Sequence, residues 1–190
     1  GDLLAGAPFL FSHVEAHGPF SGDLSAYSVV VLTAVAAAQG ALTRQAVLDY
    51  VAGGGALLFL GAYLGEAAPP GLETWLAPLD IQIMADVRVD GRYAGAGDAY
   101  LLRHWKDFEI QEGCAIRAAQ GHTLTPGGKR GGGAVFVARE YGYGRIALLA
   151  SATPLRSDAV RRPGERRFAQ DHFRWLGHAG LEVADADGGG

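Results

Sequence analysis

Apolar positions along this chain fall into short runs, and the spacing inside each run changes from one to the next. Ser28-Val29-Val30-Val31-Leu32 and Ala56-Leu57-Leu58-Phe59-Leu60 are continuous apolar runs of the kind that fill a buried strand. Between them Ala46, Val47, Tyr50 and Val51 recur at helical spacing, behind Thr43 as an N-cap and ahead of Gly53-Gly54-Gly55, where a helix ends readily. Residues 28–60 therefore predict a strand–helix–strand crossover, a unit that joins parallel strands in a right-handed sense. The second strand runs straight into Gly61-Ala62-Tyr63-Leu64-Gly65, a sharp glycine-flanked turn.

The remaining pattern is less regular. Phe9-Leu10-Phe11-Ser12-His13-Val14 predicts an opening strand, and Pro69-Pro70-Gly71 restarts the chain into a short helix over 72–79. Residues 81–84 and 87–89 alternate as strands do, and the stretch from there to Ala99 is glycine-rich and irregular. Residues 100–105 predict a helical turn, 115–118 a short strand and 121–133 a polar loop. Residues 134–138 and 145–150 predict paired strands, close enough across 140–144 for a hairpin. An amphipathic helix over 165–177 places Phe168, His172, Phe173, Trp175 and Leu176 toward a core. Together these elements predict an α/β fold: a flavodoxin-like three-layer sandwich with a mostly parallel sheet and an antiparallel strand or hairpin near its C-terminal end. One domain is expected over residues 1–180, followed by a flexible tail over 181–190.

Composition narrows the function classes. The chain has 190 residues, 49% hydrophobic and 19% charged, and a formal charge of -4, so no global basic field invites nucleic acid. The basic stretch from Arg156 to Arg167 is broken by Asp158 and Glu165 and reads as a solvated loop and helix start. One cysteine, Cys114, excludes an internal disulfide framework. The apolar stretch 29–38 falls well short of the ~20 residues a spanning helix needs, so direct membrane insertion by this segment is not expected. No signal peptide or anchor is evident, and the compartment stays open between cytoplasmic and exported. A chain opening on Gly1 and closing on Gly188-Gly189-Gly190 reads as part of something longer.

Three segments carry a family resemblance. They are the tyrosine-led strand at Tyr27 with the helix and the YVAGGGALLFLG run, the Leu101-Leu102-Arg103-His104-Trp105 segment with the later Glu112-Gly113-Cys114, and the run from Tyr143 through Leu155 ahead of the last helix. In these the chain resembles the class I glutamine amidotransferase-like superfamily over roughly residues 7–178. It is most similar to a noncatalytic branch that includes gliding-motility and ABC-transporter auxiliary proteins and intraflagellar-transport components. The resemblance implies an opening β-α unit ahead of the strand at Phe9, which this chain lacks unless that strand is misassigned. It also implies partners: other protein domains or subunits, in a membrane-transport or motility complex.

The chemistry argues the same way. Where a nucleophile sits on such a strand-to-helix turn, the middle residue is Ser or Cys; here it is Tyr63, a phenol with an ordinary pKa near 10. The resemblance implies that a histidine and a carboxylate should follow the last strand, and the matching positions read Ser151-Ala152-Thr153-Pro154. No catalytic residue is therefore assigned and no cofactor is expected. His13, Glu15 and His17 alternate as H-x-E-x-H and share a face if extended, a weak candidate metal set that lacks a fourth ligand. A rim at the C-terminal ends of the strands is the expected contact surface, formed by Tyr63, Leu64, His104, Trp105, Ser151 and Thr153. The expected function is a noncatalytic binding or scaffolding domain. The alternative is a sugar-related enzyme or carbohydrate-binding relative of the trehalose-utilisation type, using a pocket in that rim.

Overall fold

A computed structural model describes residues 20–93, 108–118, 122–124, 133–156 and 158–177. Its first strand, β1, spans Val29–Thr33 and turns at once into a helix, α1, over Ala34–Ala38. The apolar stretch 29–38 is thus two elements. Thr33 divides them: its backbone is still extended, and its Oγ1 accepts the Ala36 amide at 3.1 Å as an N-cap. The helix α2, Arg44–Ala52, is capped in the same way by Thr43, whose Oγ1 accepts the Ala46 amide at 3.2 Å. It closes at Gly53 and leads into β2, Ala56–Leu60. The expected crossover is therefore present, with β1 and β2 parallel and in register from Val29↔Ala56 to Thr33↔Leu60. Tyr50 ties its three parts together. Its hydroxyl donates to the Tyr27 carbonyl at 2.8 Å and accepts the Ala56 amide at 3.2 Å.

The expected helix over 72–79 is a series of turns with one short 3-10 segment at Ala77–Leu79. Pro70 and Pro78 deprive this stretch of backbone donors, and Ile81 and Ile83 donate their amides back into it. The next two strands are much longer than the pattern suggests. β3 runs unbroken over Ile81–Tyr93 and pairs antiparallel with β4, Phe108–Ala118. Two register shifts explain why alternation fades. Residues 85–87 are extra on β3, and farther along Gln111 and Glu112 oppose the single residue Asp90. Within the expected loop lies a three-residue strand, β5, His122–Leu124; β6, Phe136–Tyr141, and β7, Gly144–Leu149, form the expected hairpin.

The main sheet has the order β1-β2-β7-β6-β5. The pairs β1–β2 and β2–β7 are parallel, whereas β6 is antiparallel to both of its neighbours, so four of the five strands run one way. Every residue of β2 and β7 is buried, which requires cover on both faces. The last helix, α3, Pro163–Gly177, covers one face, where Phe168 meets Phe136 at a centroid distance of 6.3 Å. On the other face Phe59 packs against Trp75 at 6.0 Å. Burying a side chain such as Phe59 contributes roughly 2–3 kcal/mol. Arg145, buried at the start of β7, donates to the Trp175 carbonyl at 2.7 Å and so satisfies the C-terminal end of α3. The expected opening strand over 9–14, the helical turn over 100–105 and the tail over 181–190 lie outside the described residues.

Candidate functional site

The ends of β2 and β7 lie side by side, with Leu60 opposite Leu149, so the turns that follow them share one rim of the sheet. Open α/β sheets bind their ligands at this rim. Three amides stitch the turn after β2 in place. Gly61 donates to the Leu149 carbonyl at 2.7 Å. Tyr63 then donates to the Glu112 carbonyl at 2.8 Å, and Leu64 to the Ala85 carbonyl at 2.8 Å. Gly61 has to be glycine: a Cβ there would lie 2.6 Å from Cys114 Sγ and 2.7 Å from the Ala150 oxygen. The same oxygen accepts the Cys114 amide at 2.9 Å, so β4 is held against the rim.

The second bulge of the β3–β4 ribbon supplies the rest of the surface. Glu112 sits there with φ +52°, a left-handed conformation uncommon for a residue with a side chain. Two bonds hold it: its amide donates to Asp90 Oδ1 at 2.7 Å, and its carbonyl accepts the Tyr63 amide. Asp90 also pairs with Arg88 two residues away, and the Arg88 hydrogen bond is the main reason its carboxyl titrates below the usual range. The Arg88 guanidinium lies 5.6 Å from the centroid of the Tyr63 ring, a cation–π contact. Tyr63 is itself exposed. Arg88 and Asp90 are not among the rim residues the sequence points to, and Glu112 enters there only within the resemblance segment Glu112-Gly113-Cys114. The alternation of Arg88 and Asp90 about buried Val89 was a visible signal, but the bulge that brings Glu112 beside them was not.

Of the sequence-derived rim residues, the structure gathers Tyr63, Leu64, Ser151 and Thr153 around this ribbon. His104 and Trp105 lie outside the described residues, as do His13, Glu15 and His17. The rim hydroxyls are engaged in backbone contacts. Ser151 Oγ and Thr153 Oγ1 donate to the Gln111 carbonyl at 2.8 and 3.1 Å, and Ser151 Oγ accepts the Thr153 amide at 3.1 Å. Cys114 is buried beneath the turn, and burial pushes its thiol up to about 11, well away from thiolate formation near neutral pH. His172 lies elsewhere, packed between the Phe136 and Phe168 rings with Nδ1 2.9 Å from the Phe168 carbonyl. Burial depresses its pKa to about 3. Among the described residues no three His, Cys, Asp or Glu side chains are grouped to hold a metal ion, and no helix is long and apolar enough to cross a membrane.

A cleft of about 610 Å3 opens at the opposite end of the strands, lined by residues 22–28, Ala46, Asp49, Tyr50 and 53–55. Its polar groups are committed locally. Asp23 binds the Ser25 hydroxyl and amide, Asp49 accepts from Gln45 Nε2 at 2.7 Å, and Tyr50 bridges Tyr27 and Ala56. The rim, where four chain segments converge, is the better candidate for function.

No protein-family model matches the chain, and no curated protein matches it by sequence. Solved structures share its fold. The mmIFT52 N-terminal domain superposes with a TM-score of 0.61 at 14% identity, covering 80% of this chain and 78% of that one. The cytoplasmic protein STM3548 from Salmonella typhimurium gives 0.61 at 18% identity, over 80% of this chain and 73% of that one. A beta-galactosidase from Rahnella sp. R3 gives 0.56 at 17% identity, covering 82% of this chain but only 24% of the galactosidase. At these identities the likeness establishes the fold alone.

Proposed function

We propose that this chain is a noncatalytic, protein-binding α/β domain that contacts its partner through the rim formed by Tyr63, Leu64, Arg88, Glu112, Ser151 and Thr153. The reading extends to ancestry: a flavodoxin-like layout and descent from the amidotransferase-like superfamily, with the nucleophile position taken by Tyr63. One observation carries it. The turn that would present a nucleophile is bonded amide by amide to the neighbouring ribbon, and it presents a phenol stacked beneath a guanidinium. Acyl transfer needs an activated nucleophile beside a base. The nearby alternatives are unsuited: Cys114 is buried with a raised pKa, and the two hydroxyls donate to a backbone carbonyl.

The likeness in fold to the mmIFT52 N-terminal domain supports a role within a larger assembly. Partners are other domains or subunits, in a setting such as membrane transport or motility. The test is a glutaminase and esterase assay on the purified chain, with Tyr63→Phe alongside. We expect no turnover above buffer from either. Hydrolysis by the parent chain that disappears in Tyr63→Phe would refute the reading.

A further inference from the structure

Among the described residues β1 is an end strand of the main sheet, and its outer edge carries none of the usual devices against further pairing. Its residues, Val29-Val30-Val31-Leu32-Thr33, include no charge and no proline, and their register with β2 runs without a bulge. Val31 is 46% exposed. The bonding pattern shows which backbone groups face outward. The Ala56 amide donates to the Ser28 carbonyl at 3.2 Å, and in a parallel ladder alternate residues turn both backbone groups to the same neighbour. Ser28, Val30 and Leu32 therefore bond toward β2, while Val29 and Val31 present their amides and carbonyls to the outer edge.

The chain leading to β1 arrives from a defined place. The Phe20 amide donates to the Ala41 carbonyl at 2.8 Å, the Ala41 amide to the Ala36 carbonyl at 3.0 Å, and the Ala36 amide to Thr33 Oγ1 at 3.1 Å. This relay puts residue 20 at the Thr33 end of β1. Residues 20–28 then return to the start of the strand, where the Tyr27 carbonyl accepts from the Tyr50 hydroxyl. They have the course of the second half of a crossover. In the chain before them, the apolar run Phe9-Leu10-Phe11-Ser12-His13-Val14 is about as long as β1 and rich in residues that favour strands.

We infer that residues 9–14 fill the outer edge of β1 as a further, parallel strand of the main sheet. Direction follows from the linker, residues 15–19. Running with β1, the added strand ends near Thr33, within easy reach of Phe20, and residues 15–28 supply the dozen or more residues that a parallel connection needs. Running against β1, it would end near Ser28. Residues 15–19 would then have to cover roughly 17 Å, close to full extension, to regain Phe20. Tethering also selects the occupant. Behind so short a linker the segment competes at an effective concentration of order millimolar, which a second copy or a separate peptide matches only at that concentration. The inference is independent of the rim reading, and it closes this edge to strand addition by a partner protein.

Amide hydrogen exchange followed by NMR on the full chain tests it. We expect the Val31 amide to exchange at least about tenfold more slowly than an unpaired amide, alongside those of Val30 and Leu32, which bond to β2. Neighbouring residues of a strand turn their amides to opposite edges, so a Leu10→Pro, Phe11→Pro double variant removes a bonding amide in either register. It should speed exchange at Val31 about tenfold while the amides of β2 and β7 keep their protection. Should that variant not fold, the parent chain still decides, through nuclear Overhauser contacts between the backbone protons of residues 29–33 and 9–14. Fast exchange at Val31 in the parent chain would overturn the inference, and so would the absence of those contacts. Protection at Val31 that rises with protein concentration and survives both prolines would assign the edge to a second copy, and would overturn it equally.

Discussion

The crossover β1–α2–β2 and the ribbon β3–β4 solve the same problem, burial of one apolar surface, by opposite means. In the crossover every element is local: two threonine caps, one tyrosine pin and a glycine terminator fix it within residues 27–60. The ribbon depends on partners distant in sequence. Glu112 is held by Asp90 and Tyr63, Cys114 by Ala150, and Ile116 bridges to Ala134. The first region is set by its own sequence, the second by what surrounds it. The candidate rim lies where the two meet.

The sharpest way to break this comparison is at their junction. Gly61→Val should destabilise the domain by about 3 kcal/mol or more in urea denaturation, because its side chain meets a sulfur and two carbonyl oxygens with nowhere to move. A loss under 1 kcal/mol would mean the turn is not clamped as described.

Acid acts next, on the core rather than the rim. With a folded pKa near 3 against an ordinary 6.5, His172 is neutral in the native state, and the unfolded chain binds the extra proton. Its contribution is therefore complete above about pH 6.5. It declines by up to about 1.4 kcal/mol per pH unit as the pH falls toward 3. Urea titrations at successive pH values should show this slope in the parent chain and a flatter one in His172→Phe. Identical slopes would remove His172 from the account.

A smaller effect is expected from Tyr50→Phe, which deletes two hydrogen bonds inside the crossover and should cost about 1–2 kcal/mol. The smallest is Asp90→Ala. Its loss frees the amide of Glu112, so hydrogen exchange at Glu112 and Tyr63 should quicken while the protection of β2 and β7 stays unchanged. Equal acceleration throughout the sheet would show that ribbon and crossover are one cooperative unit.

The same contrast explains what could be read from the sequence. The runs at 28–32 and 56–60, the cap at Thr43 and the glycine stop were legible because each signal is contained in a few neighbouring residues. The mostly parallel sheet and the C-terminal hairpin followed from them. β4 was visible only at its last residues, since Gln111 and Glu112 interrupt its alternation and Gly113 supplies no side chain. The helix α1 was hidden inside an apolar run whose division depends on one threonine hydroxyl. Two thirds of the rim was legible. Tyr63, Leu64, Ser151 and Thr153 follow strand ends and could be placed by topology, whereas Arg88 and Glu112 arrive through a bulge that no local period announces.

The stitching of the turn after β2 has one more consequence. Positions 61, 63 and 64 are fixed through backbone amides, which every residue except proline possesses, while the Tyr63 side chain projects outward. The outward groups can therefore be exchanged with little disturbance to the scaffold beneath. A surface built in this way can acquire new specificity by single substitutions, keeping its architecture while its ligand changes.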